Sequence, residues 1–593
     1  MIEQIREEIN QVSYDIECSP KTNEYTLVLK SDNKQKYALS KYGPRENALK
    51  MLGEDWGNRS TIWILFGFGF GYMLEEIVRF VGRDTRILIV EPNKLLLNEQ
   101  IGLCNKDEVL KGNNIRIITY ENFSNLRNIL NEFIPCSEFN NINIRCIDSY
   151  MEYYNKSIGY VLKQIKEVRD RGQINFNTIL NNEGCCIVNT IKNRYSLKEC
   201  YDLSCHKDKY SNIPALIVAA GPSLQKNIEQ IRKFNGIIIV IGRTMTPILE
   251  KEIKVDFVFS LDPFDVIHET FGKYKEHDIP LVTLTEGNWR VVEGSKGPKY
   301  FLGNNSTSMG LLGIKVNPGL SAYGSVSTMC ISTATYMGCN PIILVGQDLA
   351  YTGGKKHSDV AIIDSEIGEE NLVINLTKHP TIKGYYGGEV ESDYAWISVI
   401  RWIETYIQEA NKARDKEIIY INATEGGAYI EGALHLSLKE TIEKYCIHKK
   451  PSIKHVILNE NSQIDVDQQL KVGLKKLRAI NRLLGIGKEY YKRLAIQYDN
   501  CKKTDKQEIL RLIKKIERID RDIMNIEDSN KLIEILMEKV KIVLSTSNNS
   551  KEPLNETEEE RRLRACNLNC ETYEYLFNES RKLIDFIKGE IDV

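Results

Sequence analysis

Short apolar runs, each ending at glycine or polar residues, recur along the middle of the chain and predict the strands of a parallel sheet. They cover residues 216–220, 236–241, 257–261, 280–285 and 341–345. Uninterrupted apolar runs of this length are typical of strands that are buried on both faces. The carboxyl ends of such strands lie along one edge of an open sheet, where ligands bind. The pattern therefore predicts an α/β domain with a binding site at that edge.

The first of these strands ends in Gly221, Pro222 and Ser223, and apolar residues at helical spacing follow up to Phe234. Glycine permits a tight turn, proline fits the first turn of a helix, and serine is a good helix cap. Unpaired N–H groups and the helix dipole at such a turn attract an anion, and a phosphate is the natural ligand. Turns of this kind also occur without a ligand, so the turn alone leaves both interpretations open.

The amino-terminal region predicts a second α/β unit. An apolar run at 61–66 leads into the glycine-rich turn at 67–71, and the next run at 86–90 ends at Glu91. A glycine-rich turn with an acid at the next strand end is the layout by which Rossmann-like domains hold a ribose. A methyltransferase or a dinucleotide enzyme is therefore one interpretation. The G-x-G-x-G spacing and the three phenylalanines crowding the turn favour the other interpretation, a structural or vestigial role.

The carboxyl-terminal region has a different pattern. Between residues 470 and 484, and again between 509 and 523, leucine and isoleucine recur at steps of three and four among many charged residues. This spacing predicts long amphipathic helices. One interpretation is a bundle that buries its own apolar stripes, and the other is a platform for a helical protein substrate. The polar segment 545–553 is predicted to be a loop.

Composition narrows the functional class. The 593 residues are enough for several domains. A net charge of −2, from 79 basic and 81 acidic residues, disfavours a general nucleic-acid binder. We expect a cytoplasmic protein, because the charged start does not resemble a signal peptide and no apolar run is long enough to span a bilayer.

The cysteine pattern supports neither disulfides nor zinc. The sequence has 14 cysteines but no C-x-x-C pair. Reduced, mostly buried thiols in a cytosolic protein are the better interpretation.

The polar strand ends carry five motifs in a characteristic order. They are Gly221-Pro-Ser-Leu224, Ser260-Leu-Asp-Pro263, Gly324-Ser-Val-Ser327, Gly346-Gln-Asp-Leu349 and, last, Asn-Ala-Thr-Glu-Gly-Gly-Ala-Tyr-Ile-Glu-Gly at 422–432. Together they resemble the motility accessory factor family over roughly residues 185–435. These are bacterial glycosyltransferases proposed to attach nonulosonic acids, such as pseudaminic or legionaminic acid, to Ser and Thr of flagellin. The same core resembles bacterial sialyltransferases that use CMP-sialic acid and, more distantly, archaeal pterin pyrophosphokinases.

The resemblance implies three domains and one leading function. The domains are a Rossmann-like amino-terminal domain at 1–184, a central sialyltransferase-like α/β domain at 185–435, and a helical domain at 436–593. The implied activity is transfer of a nonulosonic acid from its CMP donor to flagellin, without a metal or a further cofactor. The alternatives are a pterin-type pyrophosphokinase that uses ATP and magnesium, and a non-catalytic flagellin-binding factor.

The resemblance also implies which residues line the donor. The Gly221 turn would face the phosphate or ribose, the residues at 324–327 the sugar carboxylate or the base, and the turn after Asn422 the cytidine base. The full predicted set is Gly221, Pro222, Ser223, Arg243, Thr244, Asp262, Ser325, Ser327, Gly346, Asn422, Thr424 and Glu425. The central domain has no Asp-x-Asp motif, so no metal is expected at the donor phosphate.

Catalytic residues are predicted on the loop after the last apolar run. Tyr351 matches the position at which the sialyltransferases place a tyrosine on the leaving phosphate. His357, on the same loop, is a candidate general base because imidazole titrates near neutral pH. The sialyltransferases carry a histidine just ahead of a later helix, but residues 386–393 contain none. Asp348 and Glu389 are therefore alternative bases.

Overall fold

The protein is described by a computed structural model. It describes residues 2–31, 34–53, 62–80, 85–104, 110, 114–134, 139, 141–181, 185–303, 312, 314–317, 320, 324–361, 379–412, 417–448, 450–499, 505–526, 533, 536, 540, 544 and 557–591. The predicted loop at 545–553 lies outside these residues.

The chain forms two compact units. The first contains Met1–Asn181, Leu483–Arg521 and Met537–Leu576, and the second contains Asn182–Arg482, Asp522–Leu536 and Phe577–Val593. Residues after 436 are thus divided between the two units. The division into three domains stays a prediction.

The first unit contains two sheets. An antiparallel sheet is formed by β1 (Ser13–Cys18), β2 (Tyr25–Ser31) and β3 (Lys34–Tyr37). A parallel sheet with the order β6-β5-β4-β7 is formed by β4 (Ile62–Phe66), β5 (Arg86–Val90), β6 (Ile115–Ile118) and β7 (Ile142–Cys146). The central strand β4 is fully buried, as its run of Ile, Trp, Leu and Phe predicts.

The second unit is built on one parallel sheet of eight strands. Its order is β12-β11-β10-β9-β8-β13-β16-β17. The strands are β8 (Ala215–Val218), β9 (Ile237–Ile241), β10 (Phe257–Ser260), β11 (Leu281–Leu284), β12 (Lys299–Leu302), β13 (Ile342–Val345), β16 (Tyr420–Asn422) and β17 (Leu434–His435). A separate antiparallel hairpin is formed by β14 (Thr381–Lys383) and β15 (Glu389–Glu391). The five runs of the central pattern are all strands of this sheet, which confirms the α/β prediction.

Helices connect and cover the strands. In the first unit they are α1 (Ile2–Gln11), α2 (Pro44–Lys50), α3 (Tyr72–Phe80), α4 (Lys94–Cys104), α5 (Leu126–Phe133), α6 (Tyr150–Tyr153) and α7 (Asn155–Asn181). In the second unit they are α8 (Cys185–Lys192), α9 (Arg194–Lys198), α10 (Leu224–Ile231), α11 (Gly242–Leu249), α12 (Val266–Glu269), α13 (Trp289–Gly294), α14 (Val326–Tyr336), α15 (Tyr394–Lys412) and α16 (Leu438–Tyr445). The carboxyl-terminal helices are α17 (Val466–Asp499), α18 (Lys506–Met524) and α19 (Glu558–Glu590).

The apolar stripes of the carboxyl-terminal helices are buried. The buried positions include Leu470, Leu474, Leu477, Ile480, Leu484, Ile516, Ile519 and Ile523. In the first unit, Leu494, Leu512, Ile516 and Cys566 form one apolar cluster. The stripes therefore stabilise the chain itself, which is the bundle interpretation of the pattern.

The glycine-rich turn of the first unit is filled by the chain's own side chains. A Cβ atom added to Gly67 would lie 2.8 Å from Ile147 Cδ1 and 3.0 Å from Tyr150 Cε1. Glu91 is fully buried, and its carboxylate accepts hydrogen bonds from the Phe68 N–H at 3.2 Å and the Tyr150 hydroxyl at 2.7 Å. The acid that would hold a ribose is thus used internally. This packing favours the structural role of the turn over cofactor binding.

Burial raises the pKa of the Glu91 carboxyl group to about 7 from an ordinary value of 4.5, because the charged form loses its hydration. The folded state therefore holds the proton more tightly than the unfolded state. The resulting stabilisation is complete below about pH 4.5 and is lost as the pH rises through about 7.

We expect the free energy of opening of β4 and β5 to fall by about 3 kcal/mol across this range. Glu91→Gln should remove most of that fall, because the amide does not titrate. Hydrogen–deuterium exchange of the two strands in the full chain, corrected for intrinsic rates, measures the effect. Exchange of β9 and β10 in the second unit is the internal control. The same pH profile in wild type and variant would contradict the role assigned to Glu91.

Candidate functional site

The candidate site of the second unit lies where the strand order reverses. The chain runs outward from β8 through β9 to β12 and then returns to β13 on the other side of β8. In open α/β sheets, the loops on either side of such a reversal leave a crevice that binds ligands. We therefore take the loops after β8 and β13 as the walls of the candidate crevice. The Gly221 N–H donates a hydrogen bond to the Gly346 carbonyl oxygen at 2.8 Å. A Cβ atom on Gly221 would collide with the Asp348 carboxylate, so only glycine fits at this approach.

Asp348 joins the loops that surround this crevice. Its side chain is buried, and its carboxylate accepts hydrogen bonds from the Ser223 hydroxyl at 2.7 Å and from the Ser223 N–H at 3.2 Å. Its backbone carbonyl accepts a hydrogen bond from the Ala428 N–H at 2.8 Å. Burial raises the pKa of the Asp348 carboxyl group, and the hydrogen bonds from Ser223 oppose that rise. These contacts give Asp348 a structural function, and its role as a base stays a prediction.

These contacts correct the predicted anion site at the Gly221 turn. The Ser223 N–H was expected to be unpaired, but it already binds the carboxylate of Asp348. Ser223 makes no side-chain capping bond to α10, and Pro222 lies before that helix instead of in its first turn. The Asp348 carboxylate binds the Ser223 N–H more readily than a free phosphate would. The fold already holds the carboxylate in place, whereas a free phosphate loses translational freedom on binding. Pro222 and Gly221 stay half-exposed at the crevice.

The loop after β16 is braced against the same cluster. The Gln347 N–H donates to Thr424 Oγ1 at 3.2 Å, and the Thr424 N–H donates to Asn422 Oδ1 at 3.1 Å. Asn422 and Thr424 are fully buried. The Glu425 carboxylate accepts the Leu438 N–H at 2.9 Å, at the start of α16. These predicted cytidine contacts therefore shape the loop, and contact of their side chains with a base stays a prediction.

Ser325 and Ser327 also join the cluster. Ser325 precedes α14, and its hydroxyl lies 2.9 Å from the Ser327 hydroxyl. Gln347 Nε2 donates to Ser327 Oγ at 3.0 Å. The start of α14 therefore contacts the loop after β13, and its contact with the sugar carboxylate or the base stays a prediction.

Three predicted donor contacts lie apart from these hydrogen bonds. Thr244 is fully buried, and its hydroxyl donates to the carbonyl oxygen of Ile241 at 2.9 Å, so it serves the core and not a ligand. Arg243 donates to the Ala361 carbonyl oxygen at 3.4 Å. Asp262 is exposed after β10, at the same edge of the sheet. Arg243 and Asp262 therefore stay candidates at the rim.

Tyr351 lies in an aromatic group that the sequence did not reveal. Its ring centroid is 4.4 Å from that of His379 and 4.9 Å from that of Trp396. The Tyr351 N–H donates to the Glu391 carbonyl oxygen at 2.9 Å, which fixes the loop against β15. Burial, with Asp393 and Glu391 nearby, raises the pKa of the Tyr351 phenol. The phenol is therefore protonated at neutral pH and available as a hydrogen-bond donor.

His379 is the functional candidate that sequence reasoning missed. A histidine was sought at 386–393, directly before α15, but His379 precedes the hairpin β14–β15 instead. The hairpin folds back, with the Ser392 N–H donating to the Pro380 carbonyl oxygen at 2.9 Å. This closure brings His379 to Tyr351, and only the antiparallel pairing of the hairpin would have indicated it.

The other predicted bases occupy different positions. His357 is half-buried. The N–H group of the next residue, Ser358, donates to the Ala220 carbonyl oxygen at 2.9 Å, so His357 lies beside the Gly221 turn. Glu389 is exposed at the start of β15. Lys355 pairs with Asp359 at 2.6 Å in solvent. Among the residues with described positions, no group of three or more His, Cys, Asp or Glu side chains is placed to hold a metal ion.

Comparison with solved structures shows the fold class of the whole chain. The structure is similar to that of the MAf glycosyltransferase from Magnetospirillum magneticum AMB-1, with a TM-score of 0.58 and 14% sequence identity. The similarity covers 100% of this chain and 95% of that one. The chain therefore has the fold of that glycosyltransferase, which confirms the expected fold class.

The sequence comparisons cover less of the chain. Residues 188–354 match the family described as 6-hydroxymethylpterin diphosphokinase MptE-like. No curated protein matches the chain. Within the described helices, none is both long and apolar enough to cross a bilayer.

Proposed function

We propose that the protein is a glycosyltransferase that moves a nonulosonic acid, of the pseudaminic or legionaminic acid type, from its CMP ester to Ser or Thr of flagellin. The support is the shared fold together with one observation of the site. The rings of Tyr351, on the loop after β13, and His379 contact each other, with centroids 4.4 Å apart. We propose that the transfer takes place in the cytoplasm.

The reaction needs a group for the leaving phosphate and a group for the acceptor proton. The acceptor oxygen bonds to the anomeric carbon, and the bond from that carbon to the phosphate oxygen breaks. The electron pair stays on the phosphate of CMP, where the Tyr351 hydroxyl donates a hydrogen bond to the developing charge. The His379 imidazole takes the proton of the acceptor hydroxyl. His357, beside the Gly221 turn, is the alternative base.

The chemistry assigned to these residues does not require a metal. A neutral phenol stabilises the departing phosphate by hydrogen bonding, and the Asp348 carboxylate is already bound to Ser223. Asp265, three residues after Asp262, pairs with Arg290 at 2.9 Å. We therefore propose a metal-independent transfer.

A second candidate function is favoured by the match of residues 188–354 to the diphosphokinase family. That activity would transfer a diphosphate from ATP to a pterin alcohol and would use magnesium. A third candidate is a flagellin-binding factor without turnover. The products of the reaction distinguish all three.

We expect the purified chain, incubated with flagellin and a CMP-nonulosonic acid in EDTA, to release CMP and to add the mass of one sugar at each modified Ser or Thr. Intact-protein mass spectrometry and nucleotide chromatography measure the two products. The matched reaction contains ATP, magnesium and hydroxymethylpterin. Formation of AMP and pterin diphosphate in that reaction would show that the protein is a diphosphokinase and not a glycosyltransferase. Stable binding of flagellin with neither product would favour the non-catalytic factor.

Substitutions test the two catalytic assignments. Tyr351→Phe and His379→Ala should each lower kcat by roughly a hundredfold, because charge stabilisation or proton transfer is lost, while the Kd for CMP stays nearly unchanged. Lys355→Ala is the control, since the exposed Lys355 side chain pairs with Asp359. Initial rates of CMP release give kcat. If His379→Ala keeps full activity and His357→Ala loses most of its kcat, the general base is His357 instead of His379.

A further inference from the structure

Several buried polar atoms at the carboxyl edge of the second unit have no hydrogen-bond partner within the described part of the chain. They include Ser260 Oγ, Gln347 Oε1 and Ser358 Oγ. Buried polar groups in folded proteins are almost always hydrogen-bonded, so each exception needs an explanation. Gln347 is the most informative of them because its position is fixed on both sides.

The Gln347 residue is held in place from both its backbone and its side chain. Its side chain is 4% exposed. Its backbone N–H donates to Thr424 Oγ1 at 3.2 Å, and Nε2 donates to Ser327 Oγ at 3.0 Å. The neighbouring Asp348 is held by Ser223. Oε1 has no hydrogen-bond partner among the described residues, and a carbonyl oxygen is a pure hydrogen-bond acceptor. Its missing partner is therefore an O–H or N–H group.

The surroundings of the Gln347 amide indicate which kind of ligand carries the missing O–H or N–H group. Ser327, which the amide contacts, lies in the first turn of α14, and Ser325 immediately precedes the helix. The first N–H groups of a helix have no partner within it, and with the helix dipole they favour an anion. The 11 residues of α14 are enough for a helical dipole. A ligand here would present an anion to the helix and, close by, a hydrogen-bond donor to Gln347.

We propose that Gln347 sets the donor specificity, by accepting a hydrogen bond from a hydroxyl or amide N–H group of an acidic sugar whose carboxylate binds at the start of α14. Nonulosonic acids carry a carboxylate on the anomeric carbon and both hydroxyl and amide groups on the ring and side chain. The inference rests on the proposed function and adds to it the residue that distinguishes one such sugar from another. A site built to hydrogen-bond a substrate group discriminates strongly against analogues that lack it.

Gln347→Met tests this assignment, because methionine has a similar length but offers no amide. KM and kcat for CMP release are measured with a set of CMP-nonulosonic acids that each lack one hydroxyl or amide group, and the Kd for CMP alone is measured in parallel. We expect KM to rise by roughly tenfold or more for donors that carry the contacted group. The donor that lacks this group should have the same KM in wild type and variant. The Kd for CMP should change by less than about twofold, since Gln347 contacts the sugar and not the nucleotide. Gln408→Met, at an exposed position of α15, is the matched control.

Equal increases in KM for every donor, or an equal increase in the Kd for CMP, would overturn the assignment and leave Gln347 a purely structural residue. If Gln347→Met does not bind CMP at all, Gln347→Glu is the second variant, because it keeps an acceptor oxygen and the side-chain shape. Gln347→Glu should give the same order of donor KM values as wild type. A different order, with CMP binding retained, would overturn the assignment. Failure of the wild type to release CMP from any donor would instead contradict the proposed function.

Discussion

The candidate site depends on one buried carboxylate and the few groups that can satisfy it. Asp348 is buried, and a buried carboxylate is costly unless it is hydrogen-bonded. The Ser223 N–H and hydroxyl meet that need at the start of α10, where the helix dipole adds to the attraction. These hydrogen bonds therefore fix the loop after β8 against the loop after β13. The backbone of Asp348 adds the loop after β16 through Ala428.

In each unit a buried carboxylate binds a backbone N–H group of the turn after a strand, but only the turn of the second unit stays partly exposed. In the first unit, Glu91 binds the Phe68 N–H and is enclosed by aromatic side chains, so its glycine-rich turn has become part of the core. In the second unit, Asp348 binds the Ser223 N–H, but Gly221 and His357 beside it stay partly exposed. A glycine-containing turn after an apolar run is thus predicted from the sequence in both units. Whether the turn is open to a ligand depends on the size of the side chains that meet there.

The sequence predicted regular elements well because they depend on local patterns. The five central strands appear with bounds within two residues of the apolar runs, as seen for β8 and β13. The short strand β12 was not predicted, because Lys299 and Tyr300 interrupt its apolar character. The long carboxyl-terminal helices also followed from spacing, but the bundle interpretation needed the observed burial of their apolar stripes.

The site was predicted in part, because contacts across the fold are not encoded in local spacing. The motifs at Gly221, Ser325, Gly346 and Asn422 meet as expected, since carboxyl ends of parallel strands share an edge. Sequence reasoning could not show that Asp348 would take the anion position or that Thr244 would point into the core. It also missed His379, because only the fold of the hairpin brings that residue to Tyr351.

The central claim is that Asp348 holds the three loops as one unit, and hydrogen–deuterium exchange of Asp348→Ala tests it most directly. Exchange should rise together, by about tenfold or more, in residues 219–224, 346–352 and 422–432, which corresponds to about 1.4 kcal/mol of lost protection. Strands β9 and β10 should keep wild-type exchange. Asp359→Ala, which removes only a solvent-exposed pair, should leave the loops after β8 and β16 unchanged. A rise confined to residues 346–352 in Asp348→Ala would contradict the account.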